Sequence, residues 1–148
     1  MEVRVADVHD LDDVLELLRA QFDEHGIDLP AGELPEALRG LLSDKKRGRV
    51  LLACDPDPAG IAVLAYTWTL EHGGQVAWLD ELFVIPGRRG QGVGLALLRR
   101  AIEVAREGGC RAVELEVDAE RERAEHLYER EGFRRLPRHR WAKGLREE

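Results

Sequence analysis

Alternating runs and helical-period runs follow one another along this chain, and their order predicts its architecture. EVRVA, from Glu2 to Ala6, alternates with period two and predicts a first strand. From Asp10 the apolar positions Leu11, Val14, Leu15, Leu18 and Phe22 follow helical spacing, predicting a helix that ends near Gly26. A second helix is predicted from near Leu34, with Pro35 suited to its first turn and Leu38, Leu41 and Leu42 on one face. RVLLAC predicts a strand, the run from Asp55 to Gly60 a tight turn, and IAVLAYTWTL the antiparallel return of a hairpin. Glu71 to Gly74 forms another turn, followed by the strand QVAWLDELFVI.

A glycine loop and a helix to about Glu107 come next, and Gly108 with Gly109 ends that helix. RAVELEV predicts another strand, and a helix through Arg123 to Arg130 stops at Gly132. FRRL and RHRWAKGL read as two short final strands. No repeat, low-complexity tract or linker interrupts the series. The order β-α-α-β-β-β-α-β-α-β-β predicts an α/β fold, an α+β mixed sheet with one parallel, right-handed strand–helix–strand crossover.

Composition narrows the class. The chain has 148 residues, enough for one domain (1–148) with a real hydrophobic core, and is 44% hydrophobic and 34% charged. It shows no apolar run long enough to cross a membrane and no signal-peptide pattern at its N-terminus. A formal net charge of −7 argues against broad nucleic-acid binding, which needs a basic surface. Cys54 and Cys110 lie far apart without metal-ligand spacing, as free thiols of a reducing, cytoplasmic compartment do. His9, His25, His72, His126 and His139 show no clustered spacing, so no metal is expected.

The chemistry concentrates in IPGRRGQGVGLALLRRA, from Ile85 to Ala101, where Gly90, Gly92 and Gly94 precede a leucine-rich helix. A helix start exposes N–H groups without intrahelical partners and carries partial positive charge. A phosphate fits there, and glycines let the backbone come close to it. Arg88 and Arg89 add cationic donors. A P-loop needs Lys-Ser/Thr after its last glycine, whereas Leu95-Ala96 follows here. The dinucleotide fingerprint needs G-x-G-x-x-G; Glu114 stands about where its acidic residue belongs, but there is only one strand–helix–strand unit. A bare glycine turn would leave the two arginines without a role.

Arg89-Gly90-Gln91-Gly92-Val93-Gly94 resembles the R/Q-x-x-G-x-G/A motif of the GNAT superfamily of acyl-CoA-dependent N-acyltransferases. LDELFVIPGRRGQGVGLALL resembles that family's coenzyme strand, loop and helix, and AERERAEHLYEREGF its A-x-x-L-Y-x-x-x-G-F segment, through Ala124, Leu127, Tyr128, Gly132 and Phe133. The resemblance implies a GNAT-like fold, acetyl-CoA as co-substrate and no metal. It implies that main-chain groups of Arg89, Gly90, Gln91, Gly92, Val93, Gly94 and Leu95 hold the pyrophosphate. It also implies that the main chain of Leu82, Phe83 and Val84 pairs with the pantetheine arm like an added strand.

Tyr128 matches the family's tyrosine near the thioester sulfur, where a phenol can donate a proton to the departing thiolate. Three residues before Ala124, many members carry a coenzyme-bonding asparagine; this chain has Arg121, whose side chain either reaches a phosphate or stays in solvent. An alkylammonium, with a pKa of about 10.4, cannot attack a thioester until a base removes a proton. Asp80 and Glu81 stand at positions where amine acetyltransferases carry acidic residues. Strand alternation sends only one of them into the cleft.

The resemblance places the acceptor pocket among the first two helices, the strand from Tyr66 to Trp68 and the turn at His72, with Trp68 and Trp78 as stacking surfaces or core. The implied activity is transfer of an acetyl group to a primary amine of a small molecule, without nucleic acid or membrane. Two rival readings are a protein lysine or N-terminal amine as acceptor, and a non-catalytic acetyl-CoA sensor. Relatives of this size commonly pair, so a homodimer is expected.

Overall fold

A computed structural model of the chain describes residues 1–30, 32–118 and 122–146. The chain divides into two compact units, Met1–Leu115 and Glu116–Glu148. In the first, strands β1 (Glu2–Val5), β2 (Gly48–Cys54), β3 (Pro58–Thr69), β4 (Gly74–Val84) and β5 (Val113–Glu114) form one sheet in chain order. Every pairing is antiparallel except the last, in which β5 runs parallel to β4. Helices α1 (Leu11–Glu24) and α2 (Glu33–Leu42) lie between β1 and β2, and α3 (Val93–Glu107) makes the crossover from β4 to β5. Among the described residues, no helix is long and apolar enough to cross a membrane.

Both faces of the central strands are covered, so β2 and β3 read as continuous apolar runs rather than alternating ones. One face carries Val50, Leu52, Ile61, Val63 and Phe83, clustered with Val14, Leu15, Leu17 and Leu18 of α1 and Leu38 of α2. The other face meets α3. Gly60 permits the close fit there, because a Cβ on it would stand 2.7 Å from the Phe83 carbonyl oxygen and 2.9 Å from Leu97 Cδ1.

The N-terminal turn before α1 is held by ions as well as by caps. Asp7 and Asp10 form a reciprocal capping box around a 3-10 turn. Asp10, largely buried, accepts two hydrogen bonds from the Arg4 guanidinium, at 2.8 and 2.6 Å. That bonding holds the Asp10 carboxyl below its ordinary range.

In the second unit, helix α4 (Glu122–Arg130) gives the LYEREGF segment a structural explanation. Gly132 adopts φ +93°; its N–H reaches the Glu129 carbonyl, and the Phe133 N–H reaches the Tyr128 carbonyl. This is a Schellman cap, whose hydrophobic clasp is the Tyr128–Phe133 edge-to-face contact with centroids 5.8 Å apart. Gly26 after α1 and Gly109 after α3 close their helices with the same pair of bonds.

Two expectations change. The strand expected over RAVELEV shrinks to Val113–Glu114, and FRRL and RHRWAKGL form no strand. Alternation decides which side a residue faces, but a strand also needs a neighbouring ladder to satisfy its backbone. Pro137 removes one donor from this stretch, and Trp141 and Leu145 stand exposed.

Candidate active site

The centre of the site is the last part of β4. Between Leu79 and Glu81 the register against β3 shifts: Leu64 pairs with Leu79 and Val63 with Glu81, which leaves Asp80 as a bulged residue. A bulge re-aims the side chains around it. Because directly paired residues share a face, Glu81 joins Val63 and Phe83 on the α1–α2 side. Without the bulge it would follow Leu79 to the α3 side. Asp80 is exposed and Glu81 half-buried. Simple alternation therefore does not sort this acidic pair.

The same register decides which main-chain groups are open. The Ile85 N–H bonds the Ala59 carbonyl, and two residues back Phe83 pairs with Ile61, so the Phe83 N–H and C=O point at β3. Leu82 and Val84 turn theirs to the opposite edge. On that edge β5 pairs with β4 only at Ala77 and Trp78, and its ladder ends there. From Leu79 to Val84 the edge has no strand partner among the described residues. Of the three residues expected to pair with an extended ligand, Leu82 and Val84 turn their main-chain groups to this edge, where the Val84 carbonyl already accepts from Arg89. Phe83 contributes its ring to the core instead.

This open edge leads directly into the glycine loop. A 3-10 turn over Pro86–Arg88 is followed by Gly90 at φ +78° and Gly92 at φ +84°, the latter the N-cap of α3. The first intrahelical bond runs from the Ala96 N–H to the Gly92 carbonyl, so Val93, Gly94 and Leu95 present N–H groups without intrahelical partners. No acidic residue occupies the first turn of α3. Gly94 lies against β4: a Cβ there would sit 3.6 Å from Val84 Cγ2, in ordinary van der Waals contact. The cradle fits an anion of phosphate type.

The arginines of the loop brace it. Arg88 donates to the Gln91 side chain at 3.0 Å and to the Asp55 backbone and carboxylate at 3.1 and 2.8 Å. Arg89 donates to the Val84 carbonyl at 2.9 Å and to Glu24 of α1 at 2.7 Å, with its guanidinium 5.6 Å from the Phe83 ring centroid. Both guanidiniums, expected as cationic donors, have acidic partners here, and these contacts shape the loop. Glu24 had no signal in the sequence, because its partner is 65 residues away.

Other expected site residues are dispersed. Trp78 pairs with Ala65 and Trp68 with Gln75, which puts the two indoles on opposite faces of the sheet, so they do not line one pocket. Trp68 is 74% exposed. Tyr128 belongs to the second unit, where it forms the α4 clasp. Arg121 lies outside the described residues. Among the unit-one histidines, His72 draws close to an acid 42 residues away: its Nε2 is 2.7 Å from Glu114, and 3.8 Å from its chain neighbour Glu71. The contact ties the β3–β4 turn to β5 and gives Glu114 a partner on the sheet. Both cysteines are free.

A strand edge without a strand partner that runs into an open helix start can hold an extended ligand with an anionic end. The comparisons with known proteins agree. Residues 11–133 match the model of the acetyltransferase (GNAT) family, and the chain belongs to that family. It is 30% identical over 140 residues to a protein of Archaeoglobus fulgidus named as an uncharacterized N-acetyltransferase, covering 91% of this chain and 94% of that one. A crystal structure from Arthrobacter sp. FB24, assigned by name to the acetyltransferases, is 35% identical and superposes with a TM-score of 0.84 over 98% of this chain and 96% of that one. The streptothricin acetyltransferase of Streptomyces lavendulae is 38% identical over 85 residues, spanning 57% of this chain and 42% of that protein.

Proposed function

We propose that this chain transfers an acetyl group from acetyl-CoA to a primary amine of a small molecule, by direct attack of the amine on the thioester. The observation that carries the proposal is the continuity of the Leu82–Val84 open edge with the helix start at Gly92. Amide groups of a pantetheine arm pair with an unpartnered strand edge, and a pyrophosphate suits the N–H groups of Val93, Gly94 and Leu95. Arg89 to Gly92 shape that cradle, and Arg121 serves as a further phosphate contact.

In the reaction the amine nitrogen forms a bond to the acetyl carbonyl carbon, the carbon–sulfur bond breaks, and the amine loses one proton while the thiolate gains one. Glu81, turned to the α1–α2 side by the bulge, is the base we assign to the first proton, directly or through water. Asp80, exposed beside it, serves the acidic field that draws a cationic amine. The Tyr128 hydroxyl supplies the second proton or a hydrogen bond to the sulfur. Acidic groups near the acceptor suit a cation, and a relative acts on streptothricin.

The test is thiol release from acetyl-CoA with spermidine, an aminoglycoside, streptothricin, free amino acids and a lysine peptide as acceptors. Turnover with a small amine exceeding that with the peptide is expected. Turnover with the peptide alone would replace the acceptor assignment. Binding of acetyl-CoA with no turnover on any amine would favour a sensor.

A further inference from the structure

Among the described residues, three buried side-chain polar atoms have no hydrogen-bond partner: Gln21 Oε1, Tyr66 Oη and Thr69 Oγ1. Buried polar groups are nearly always paired, so each exception calls for a reason. Tyr66 Oη lies against Gly108 at the C-terminal end of α3, and Thr69 closes β3 at the turn away from the loop. Gln21 stands on α1 three residues before Glu24, which bonds Arg89 of the glycine loop.

Gln21 is 7% exposed and occupies the core-facing stripe of α1, continuing Val14, Leu17 and Leu18. A leucine at this position would bury well; a carboxamide with an unpaired oxygen costs stability. One helical turn further, Glu24 holds Arg89, whose guanidinium stacks on the Phe83 ring. Phe83 shares its face of β4 with Glu81. Gln21 therefore belongs to the stretch of α1 that covers the acidic, loop-proximal part of β4.

From this placement we infer that Gln21 is an amine-positioning residue: its Oε1 accepts an N–H of the acceptor amine while Glu81 takes the proton. The inference rests on the acetyltransferase activity proposed above. A neutral carbonyl suits this task. It orients a nitrogen through its N–H but, unlike a carboxylate, does not strongly stabilise the ammonium that must be deprotonated. The oxygen is buried, so the acceptor reaches it only when the packing around α1 opens, but binding it then breaks no existing hydrogen bond.

The experiment compares unmodified protein with Gln21→Met, which keeps length and helix propensity, and with Gln21→Glu. The probe is whichever amine of the panel above gives the highest turnover. For Gln21→Met the acceptor KM should rise roughly 10- to 100-fold, the worth of a lost hydrogen bond to a cationic donor. Acetyl-CoA affinity should hold, and Tm should stay level or rise, because the lost oxygen had no partner. For Gln21→Glu the acidic limb of kcat/KM should move to higher pH, as the added carboxylate holds the amine protonated. A Gln21→Met protein with unchanged acceptor KM overturns the inference, as does one whose acetyl-CoA affinity falls in parallel. If the unmodified protein turns over no amine, the activity itself fails and the inference with it.

Discussion

Gly92 is the position at which strain and function can be separated. It caps α3 at φ +84°, and a Cβ built there would meet nothing within 4 Å. Gly92→Ala therefore costs backbone strain only, about 1–2 kcal/mol for an L-residue in the left-handed region. Reduced freedom of the unfolded chain offsets about 0.4–1 kcal/mol of this. A net loss of about 1 kcal/mol lowers Tm by about 3 °C for a chain of this length. Gly109, at the far end of the same helix, has φ +82° and equally open space, so Gly109→Ala should cost the same. Ligand binding distinguishes the two. Relieving the strain at Gly92 reorients the N–H groups of the helix start, and losing one charge-assisted bond to a phosphate weakens binding roughly 10- to 100-fold. Calorimetric titration with acetyl-CoA should show this loss for Gly92→Ala and not for Gly109→Ala. Equal affinity in the two folded proteins would refute the assignment of the α3 start to the pyrophosphate. Unequal Tm shifts would refute the strain calculation.

Tyr128→Phe keeps the ring clasp on Phe133 and should leave acetyl-CoA affinity unchanged while turnover falls roughly 10- to 1000-fold; full turnover would make Tyr128 purely structural. Glu81→Gln should lower kcat and flatten the acidic limb of the pH profile, whereas Asp80→Asn should change chiefly the acceptor KM; the reverse pattern would reassign the base. The Asp10 carboxyl is held below its ordinary 3.8, so the stability it contributes is complete above about pH 4 and is lost as pH falls through its folded value. Asp10→Asn should accordingly lower Tm at pH 7 and less so near pH 3, measured by thermal unfolding. Sedimentation at micromolar concentration should show a homodimer, and a monomer there would remove that expectation.

Periodicity alone carried the helices and the central strands, because their burial is set by residues close in sequence. Leu11 to Phe22 bury one helical stripe, and VLLA and IAVLA are apolar throughout because both faces of the sheet are covered. The glycine loop was legible for a similar reason. Positive φ at Gly90 and Gly92 and the unpaired N–H groups after them are local properties that residue type dictates. Tertiary contacts decided the rest. The bulge at Asp80 exists only as a mismatch between β3 and β4, so no count along β4 could place Glu81. The open edge at Leu82 and Val84 depends on where β5 stops, and Arg89 found Glu24 across 65 residues. FRRL and RHRWAKGL show the converse: alternation sets which way side chains face, but only a neighbouring strand can take up the backbone hydrogen bonds.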